Sequence, residues 1–417
     1  MVTLRKTSFI MGLFLLGNFI DFGGAFRIKL GLTILALMWI LTRHNTLRIW
    51  FKCRSDLFVL LGIPLVLGLT HVTTNPSLGM SEGLRNLYNT ISAPLLLLLL
   101  PLFHLTGASR TQRMILVGMG IVALAMITLA ALHVGGAIRL DKYTAWAQRY
   151  RVGFIGIDPR QPEVPANLRP VVAPRVGFTL VLGLGLALAA SWTWTGLMIL
   201  GLVLLMSRGM WLGAMLAVGL WFLLNRYPRR LKLTKRKLLV GLMILMAVIT
   251  LPFLINLKPL IINNAKEIIF RFSEVRRVSD LNTQIRIGHL DGYKEIITSR
   301  PIGALVGFGP SVGIFNPILE TDVKSTEIAA LNLALWYGIP YSLLYSGWLF
   351  GSAWQLWRLR RRPDYTREDT GLIIGAVAFW IAGNTNPLMT SPMSIIALML
   401  IRTRTLELTA HDSNLNS

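Results

Sequence analysis

The sequence predicts an all-α, polytopic membrane protein with about twelve spanning helices and one large outer loop that carries amphipathic helices. Three observations carry that expectation. Of 417 residues, 53% are hydrophobic and 15% charged, with a mean hydropathy of +0.58; charged side chains are too few to cover a water-facing exterior. Apolar runs recur from Ile10 to Ile401, near the roughly 20 residues a helix needs to cross a hydrocarbon core of about 30 Å. The runs are continuous and not alternating, which disfavours a β-barrel.

Taken in order, the runs place spans near 8–22, 29–42, 57–72, 86–104, 113–136, 173–190, 193–206, 209–225, 238–256, 329–353, 371–385 and 389–401. The first, Phe9 to Ile20, leads into "DFGGAF" without a small-x-small cleavage site and reads as a span, not as a removed signal peptide. The connecting segments "RKT", "RHNTLRIWFKCR" (43–54), "SRTQR" (109–113), "NRYPRRLKLTKRK" (225–237), "WRLRRRPDYTR" (357–367) and "RTR" (402–404) are all basic. Twelve spans with an inside N-terminus put every one of them in the cytoplasm, as the positive-inside bias requires. The seven Lys and Arg of 225–237 alone are hard to place on the other side. Much of the net charge of +23 is therefore a topology signal spread over short loops, and no nucleic-acid partner is expected. The single Cys53 excludes an internal disulfide and reads as a structural thiol.

Three regions follow. Residues 1–256 hold spans one to nine with a basic outer loop at 137–172. Residues 257–328 form the large outer loop, and 329–417 hold spans ten to twelve and a cytoplasmic tail. The first outer loop is rich in arginine, with Arg139, Arg149, Arg151 and Arg169 among its cations. Long loops cross membranes largely regardless of charge, so this excess is either tolerated surface charge or an attractor for an anionic substrate. In the second loop, "NAKEIIFRFSEVRR" (264–277) reads as an interfacial amphipathic helix. "LNTQIRIGHLDGYKEIITSRP" (281–301) reads as a helix ended by Pro301.

Three features converge on the outer face. Ser207-Arg208-Gly209 interrupts two apolar runs. Arg208 either snorkels to headgroups or offers a planar fork to a phosphate. Arg286 lies inside the second loop helix, where it either pairs with Asp280 or Asp291 or faces a ligand; the "GFGP" that follows at 307–310 is a turn signal and weak evidence for phosphate. Glu327 stands at the edge of the apolar run "KSTEIAALNLALWYGIPY" (324–341) beside Lys324. It is either a helix cap or a working carboxylate. No Asp-x-Asp or zinc-type His/Glu spacing is present, so no metal or other cofactor is expected.

These segments resemble the O-antigen ligase and O-antigen polymerase superfamily of bacterial inner-membrane glycosyltransferases. Ser207-Arg208-Gly209 looks like its first arginine motif, and "RIGHLDGYKEIITSRPIGALVGFGP" is similar to its second. "EIAALNLALWYGIPY" keeps the nine-residue spacing of its third, with Gly338 and Tyr341 in place, but puts Glu327 where the ligases have histidine and Ile328 where they have a small polar residue. The resemblance implies transfer of glycan from undecaprenyl diphosphate to a sugar hydroxyl on the periplasmic face, with both termini cytoplasmic and membrane lipids around the bundle. Catalytic roles fall to Glu327, Arg208 and Arg286, and substrate-binding roles to Arg139, Arg149, Arg151, Arg169, Lys324 and Tyr341. The transfer is metal-independent and inverting. A polymerase, whose acceptor is a second lipid-linked repeat, fits the variable third motif; the alternative is a ligase acting on lipid A-core. A flippase of similar span number would carry mid-span charges around a central site, whereas Asp21, Glu82, Arg208 and Glu327 lie at or beyond span ends.

Overall fold

The computed structural model describes residues 2–20, 28–43, 46–74, 81, 84, 87–88, 91–134, 137–139, 156–157, 171–172, 176–203, 208–224, 281–310, 312–323, 326, 328–384 and 388–415. Almost every element among them is a helix. In chain order they are α1 (Val2–Ile20), α2 (Ile28–Leu41), α3 (Thr46–Lys52), α4 (Arg54–Thr74), α5 (Pro94–Thr106), α6 (Ala108–Val134), α7 (Val176–Ala190), α8 (Trp192–Val203), α9 (Arg208–Leu224), α10 (Leu281–Ser299), α11 (Ile302–Val306), α12 (Ala329–Tyr337), α13 (Ile339–Arg358), α14 (Arg367–Asn384) and α15 (Pro392–Leu415). The all-α expectation gives way only in the loops, where two short antiparallel pairs form. These are β1 (Gly156–Ile157) with β2 (Val171–Val172), and β3 (Ile314–Asn316) with β4 (Thr321–Val323).

Proline accounts for two irregular stretches. Pro64 cannot donate to the helical ladder, and the turn before it, Phe58–Gly62, widens into a π-helical segment. The span expected at 86–104 is described as a continuous helix only from Pro94, beginning as a 3₁₀ turn over Pro94–Leu99 and becoming α-helical beside Pro101.

The bundle is centred on α7, where Leu180, Val181, Leu182, Leu184 and Ala187 are fully buried. A helix apolar on all sides belongs inside. Its partner α14 approaches at backbone contact: a Cβ on Gly185 would sit 2.3 Å from the Gly375 Cα, and one on Gly371 would sit 2.6 Å from the Gly185 carbonyl oxygen. Gly185→Ala must push two helices apart and is expected to cost about 1–3 kcal/mol. Gly219→Ala, with open space around its Cβ, should be neutral. Thermal unfolding of the two variants side by side checks this, and equal stabilities would contradict the close packing.

Two corrections concern the spans. The expected span 329–353 is two helices, because Gly338 breaks it with φ of 92° and Pro340 opens α13. Only glycine tolerates that backbone here, since a Cβ would lie 2.2 Å from the Leu305 carbonyl oxygen. The count of twelve membrane-length helices is not supported either. Among the described residues Arg54–Thr74 and Ala108–His133 are long and apolar enough to cross a bilayer, while Lys29–Leu41, Pro94–Thr106, Thr179–Ala190, Trp192–Val203 and Gly209–Leu224 are apolar but shorter. The charges of α14 and the tail of α15 lower their apolarity. The expected span at 238–256 and the helix at 264–277 lie outside the described residues.

Candidate functional site

The bundle has two chemically distinct ends. At one, Arg402 Nε and Nη2 meet Asp56 Oδ1 of α4, each at 2.9 Å. The same oxygen accepts from the Trp348 indole at 2.6 Å. Beside it Arg404 grips Asp369 with two bonds, Nε to Oδ1 at 2.8 Å and Nη2 to Oδ2 at 3.0 Å. Arg404 also reaches Glu407, whose other oxygen accepts the Ala108 amide at 2.8 Å. Burial opposes the charge of Arg404, but its bonds to Asp369 and Glu407 more than offset this and hold its pKa above the ordinary arginine value. The arginines of "RTR" are thus paired clamps joining α4, α6, α14 and α15, a role that local sequence does not reveal.

The other end carries the motif segments. Helix α9 runs antiparallel to α14, because Gly213 meets the Ala382 Cβ while Arg367 stacks over Trp221 at 4.6 Å. Its first residue, Arg208, therefore starts at the Asn384 end. Asn384 in turn accepts the Ala330 amide of α12 at 2.8 Å. That bond takes a first-turn donor that a capping carboxylate would otherwise serve. The N-cap residue of α12 is Ile328, which has no side-chain cap.

Position 327 lies outside the described residues, but both of its neighbours are held. The Asn332 side chain, 1% exposed, accepts from the Thr326 amide at 2.6 Å and hydroxyl at 2.9 Å, and it donates to the Thr326 carbonyl at 3.0 Å. The Ile328 amide donates to the Thr326 hydroxyl at 3.2 Å. This network fixes the chain on either side of the third motif's first position.

Helix α12 is a plate between two cores. Ala329, Leu333 and Tyr337, spaced by four, pack into the bundle core. Leu331, Ala334 and Leu335 join Tyr293, Phe308 and Ile314 in a second core. Helical periodicity divides the faces this way. The segment that carries α10, α11 and β3 is thereby docked on the bundle, with a further bond between His71 Nε2 of α4 and the Val306 carbonyl at 3.0 Å. The "GFGP" glycines form the joint. Gly307 and Gly309 have φ of 81° and 97°, and the Phe308 and Gly309 amides donate to the Leu335 and Trp336 carbonyls at 2.8 and 3.2 Å. Those amides satisfy the carbonyl end of α12, so they do not form a phosphate cradle.

Arg286 is half-buried on α10, a helix that ends before Pro301 as the sequence predicts. Two glycines let that helix lie against β3. A Cβ on Gly288 would meet Asn316 Oδ1 at 2.7 Å, and one on Gly292 would meet the Phe315 carbonyl at 2.2 Å. Asn316 is fully buried and donates to the carbonyl of Ile285, next to Arg286, at 2.9 Å. One turn beyond Gly288, burial pushes the Tyr293 phenol up to about 12, so it stays neutral. Tyr341 is 5% exposed and packs between Tyr337, edge-on, and Tyr345, tilted, at centroid distances of 5.3 and 6.2 Å; its ring belongs to the core beneath the plate. Arg139 is exposed. Arg149, Arg151, Arg169 and Lys324 lie outside the described residues, as do the side chain of Arg208 and all of Glu327.

The structure therefore gathers the start of α9, Thr326 with the start of α12, and the Arg286 helix at one end of the bundle. Sequence reading missed the positioning residues Asn332, Asn384 and Asn316. The first two had a signal, an amide within the apolar helix α12 for Asn332 and one at the end of the apolar run of α14 for Asn384. No protein-family description matches the chain, and no curated protein matches it.

Proposed function

We propose that this chain is a multi-pass membrane glycosyltransferase that moves glycan from an undecaprenyl-diphosphate donor to an acceptor sugar hydroxyl at the Asn384 end of the bundle, acting as an O-antigen polymerase. The observation that carries the proposal is the convergence of the three motif segments on that one end, opposite the Arg402 and Arg404 clamps.

Membrane embedding is supported by exposure. The apolar windows of Arg54–Thr74 and Ala108–His133 are only 22% and 44% buried, and Phe58, Ile121 and Met38 are each more than 60% exposed. A soluble core helix would hide them. Alternation of the ends supports multiple crossings: α4 runs from Asp56 to His71, α14 from Asp369 to Asn384, and α15 from Ser391 near Gly383 to Arg402.

In the proposed reaction Glu327 accepts the proton of the acceptor hydroxyl as its oxygen attacks the anomeric carbon. The bond from that carbon to the diphosphate oxygen breaks, and its electron pair leaves with polyprenyl diphosphate. Arg208 and Arg286 stabilise that anion. The helix N-terminus at Arg208 adds its positive dipole to the same task. Direct attack without a covalent intermediate inverts the anomeric centre.

Arg208→Lys and Arg286→Lys test the arginine roles. Each keeps a charge but loses the planar fork, so transfer from lipid-linked donor should fall at least about tenfold, equivalent to roughly 1.4 kcal/mol. Near-normal transfer by both would return them to surface charge. The product separates polymerase from ligase: longer lipid-linked chains identify the first, and glycan joined to lipid A-core identifies the second.

A further inference from the structure

We infer that the groove between α1 and α6 binds one anionic glycerophospholipid, with its phosphate at Arg110 and Arg113; this rests on the membrane reading and is independent of the transferase chemistry. The groove has a volume of about 360 Å³. Two stripes of helical spacing form it. One is Gly12, Leu15, Leu16 and Phe19 on α1, and the other is Arg110, Arg113, Met114, Val117 and Ile121 on α6.

The floor is built and the roof is open. Leu15 and Phe19 are 2% and 5% exposed, whereas Leu16, Val117 and Ile121 remain well exposed. Gly12 widens the channel, with nothing within 4 Å of the place its Cβ would occupy. Gly118 lets the Phe19 ring approach α6 closely, since a Cβ there would stand 2.4 Å from that ring.

Charge selects the headgroup. Arg110 donates to the Ser8 hydroxyl at 2.9 Å, which fixes its guanidinium at the mouth, and Arg113 is exposed beside it. No acidic side chain lines the groove among the described residues. The mouth is at the clamp end, because α6 begins at Ala108, the partner of Glu407. From Arg110 to Ile121 the helix rises roughly 16 Å, close to the depth of one leaflet of a core about 30 Å thick. A phosphate at the arginines therefore leaves an acyl chain lying along the apolar stripe as far as the bilayer midplane. Basic pockets between helices on the cytoplasmic side are known to take anionic headgroups. A polyprenyl donor would have its diphosphate at the opposite end.

The test uses the purified full chain, stripped of lipid in detergent and titrated with phosphatidylglycerol or phosphatidylcholine while bound lipid is read by native mass spectrometry. The wild type should retain one phosphatidylglycerol at a concentration at least about tenfold lower than phosphatidylcholine. The pair Arg110→Gln with Arg113→Gln should erase that preference. Gly12→Trp, which keeps both arginines and fills open space, should abolish retention. Unchanged binding in either variant, equal binding of the two lipids, or displacement of phosphatidylglycerol by polyprenyl phosphate would overturn the assignment. Recovery of the chain in the soluble fraction after alkaline extraction would remove the membrane reading and the groove together. Membrane-retained protein without the preference overturns the groove alone.

Discussion

Asp369→Ala is expected to destabilise the protein by about 3 kcal/mol or more, the largest stability loss of any single change considered. The carboxylate is 1% exposed and meets Arg404 at two atoms. It also accepts from the Thr366 amide at 2.7 Å, closing the first turn of α14 as a capping box does. Breaking a buried ion pair by removing one partner costs about 3–5 kcal/mol, because the remaining charge stays buried without its counterpart. Arg404 keeps Glu407 and the Asp364 carbonyl, which places the expectation at the lower end. Glu368→Ala, one residue away and exposed, should change stability by less than about 0.5 kcal/mol. Thermal unfolding of both variants in the same detergent checks the pair. An Asp369→Ala protein as stable as Glu368→Ala would mean that the clamp does not hold the bundle.

Glu327→Gln is expected to lower turnover by about 100-fold while donor binding persists. The substitution keeps shape and a hydrogen-bond acceptor but removes basicity, and loss of a general base is typically worth 10²–10⁴-fold. A capping role predicts a different result, a loss of under about 1 kcal/mol of stability with turnover intact. The structure bears on this choice through its neighbours. Asn384 takes the Ala330 amide, and Asn332 is bonded to Thr326, so the start of α12 has other means of support. Glu327→His places an imidazole at this position and should keep part of the activity, since imidazole is a competent base near neutral pH.

Much of the helical layout was legible because apolar runs and their basic punctuation are local properties. The helix at 281–299 ended before Pro301 as its sequence predicts. The break at Gly338 was hidden because residues 329–353 read as one apolar run, although Gly338 and Pro340 stand in plain view. What the run could not show is that Leu305 and Gly307 press against that glycine from a distant segment. The two faces of α12 were illegible for a related reason, since both are apolar and only tertiary structure assigns one to each core. Arg402 and Arg404 read as topology charges, and their partners Asp56 and Asp369 lie 346 and 35 residues away. Of the candidate site, the motif spacing was readable. The amides that position it were not, because their partners come from other helices.

Reconstituted transfer tests the central claim most directly. Purified protein is incubated with a polyprenyl-diphosphate-linked oligosaccharide as both donor and acceptor, without added metal, and lipid-linked products and released polyprenyl diphosphate are measured together. The account predicts longer lipid-linked glycan and an equal amount of released polyprenyl diphosphate. Both should fall at least about tenfold in Arg286→Lys and about 100-fold in Glu327→Gln at matched folded concentration. Donor left unconsumed by the wild type, or consumed equally by wild type and Glu327→Gln, would contradict it.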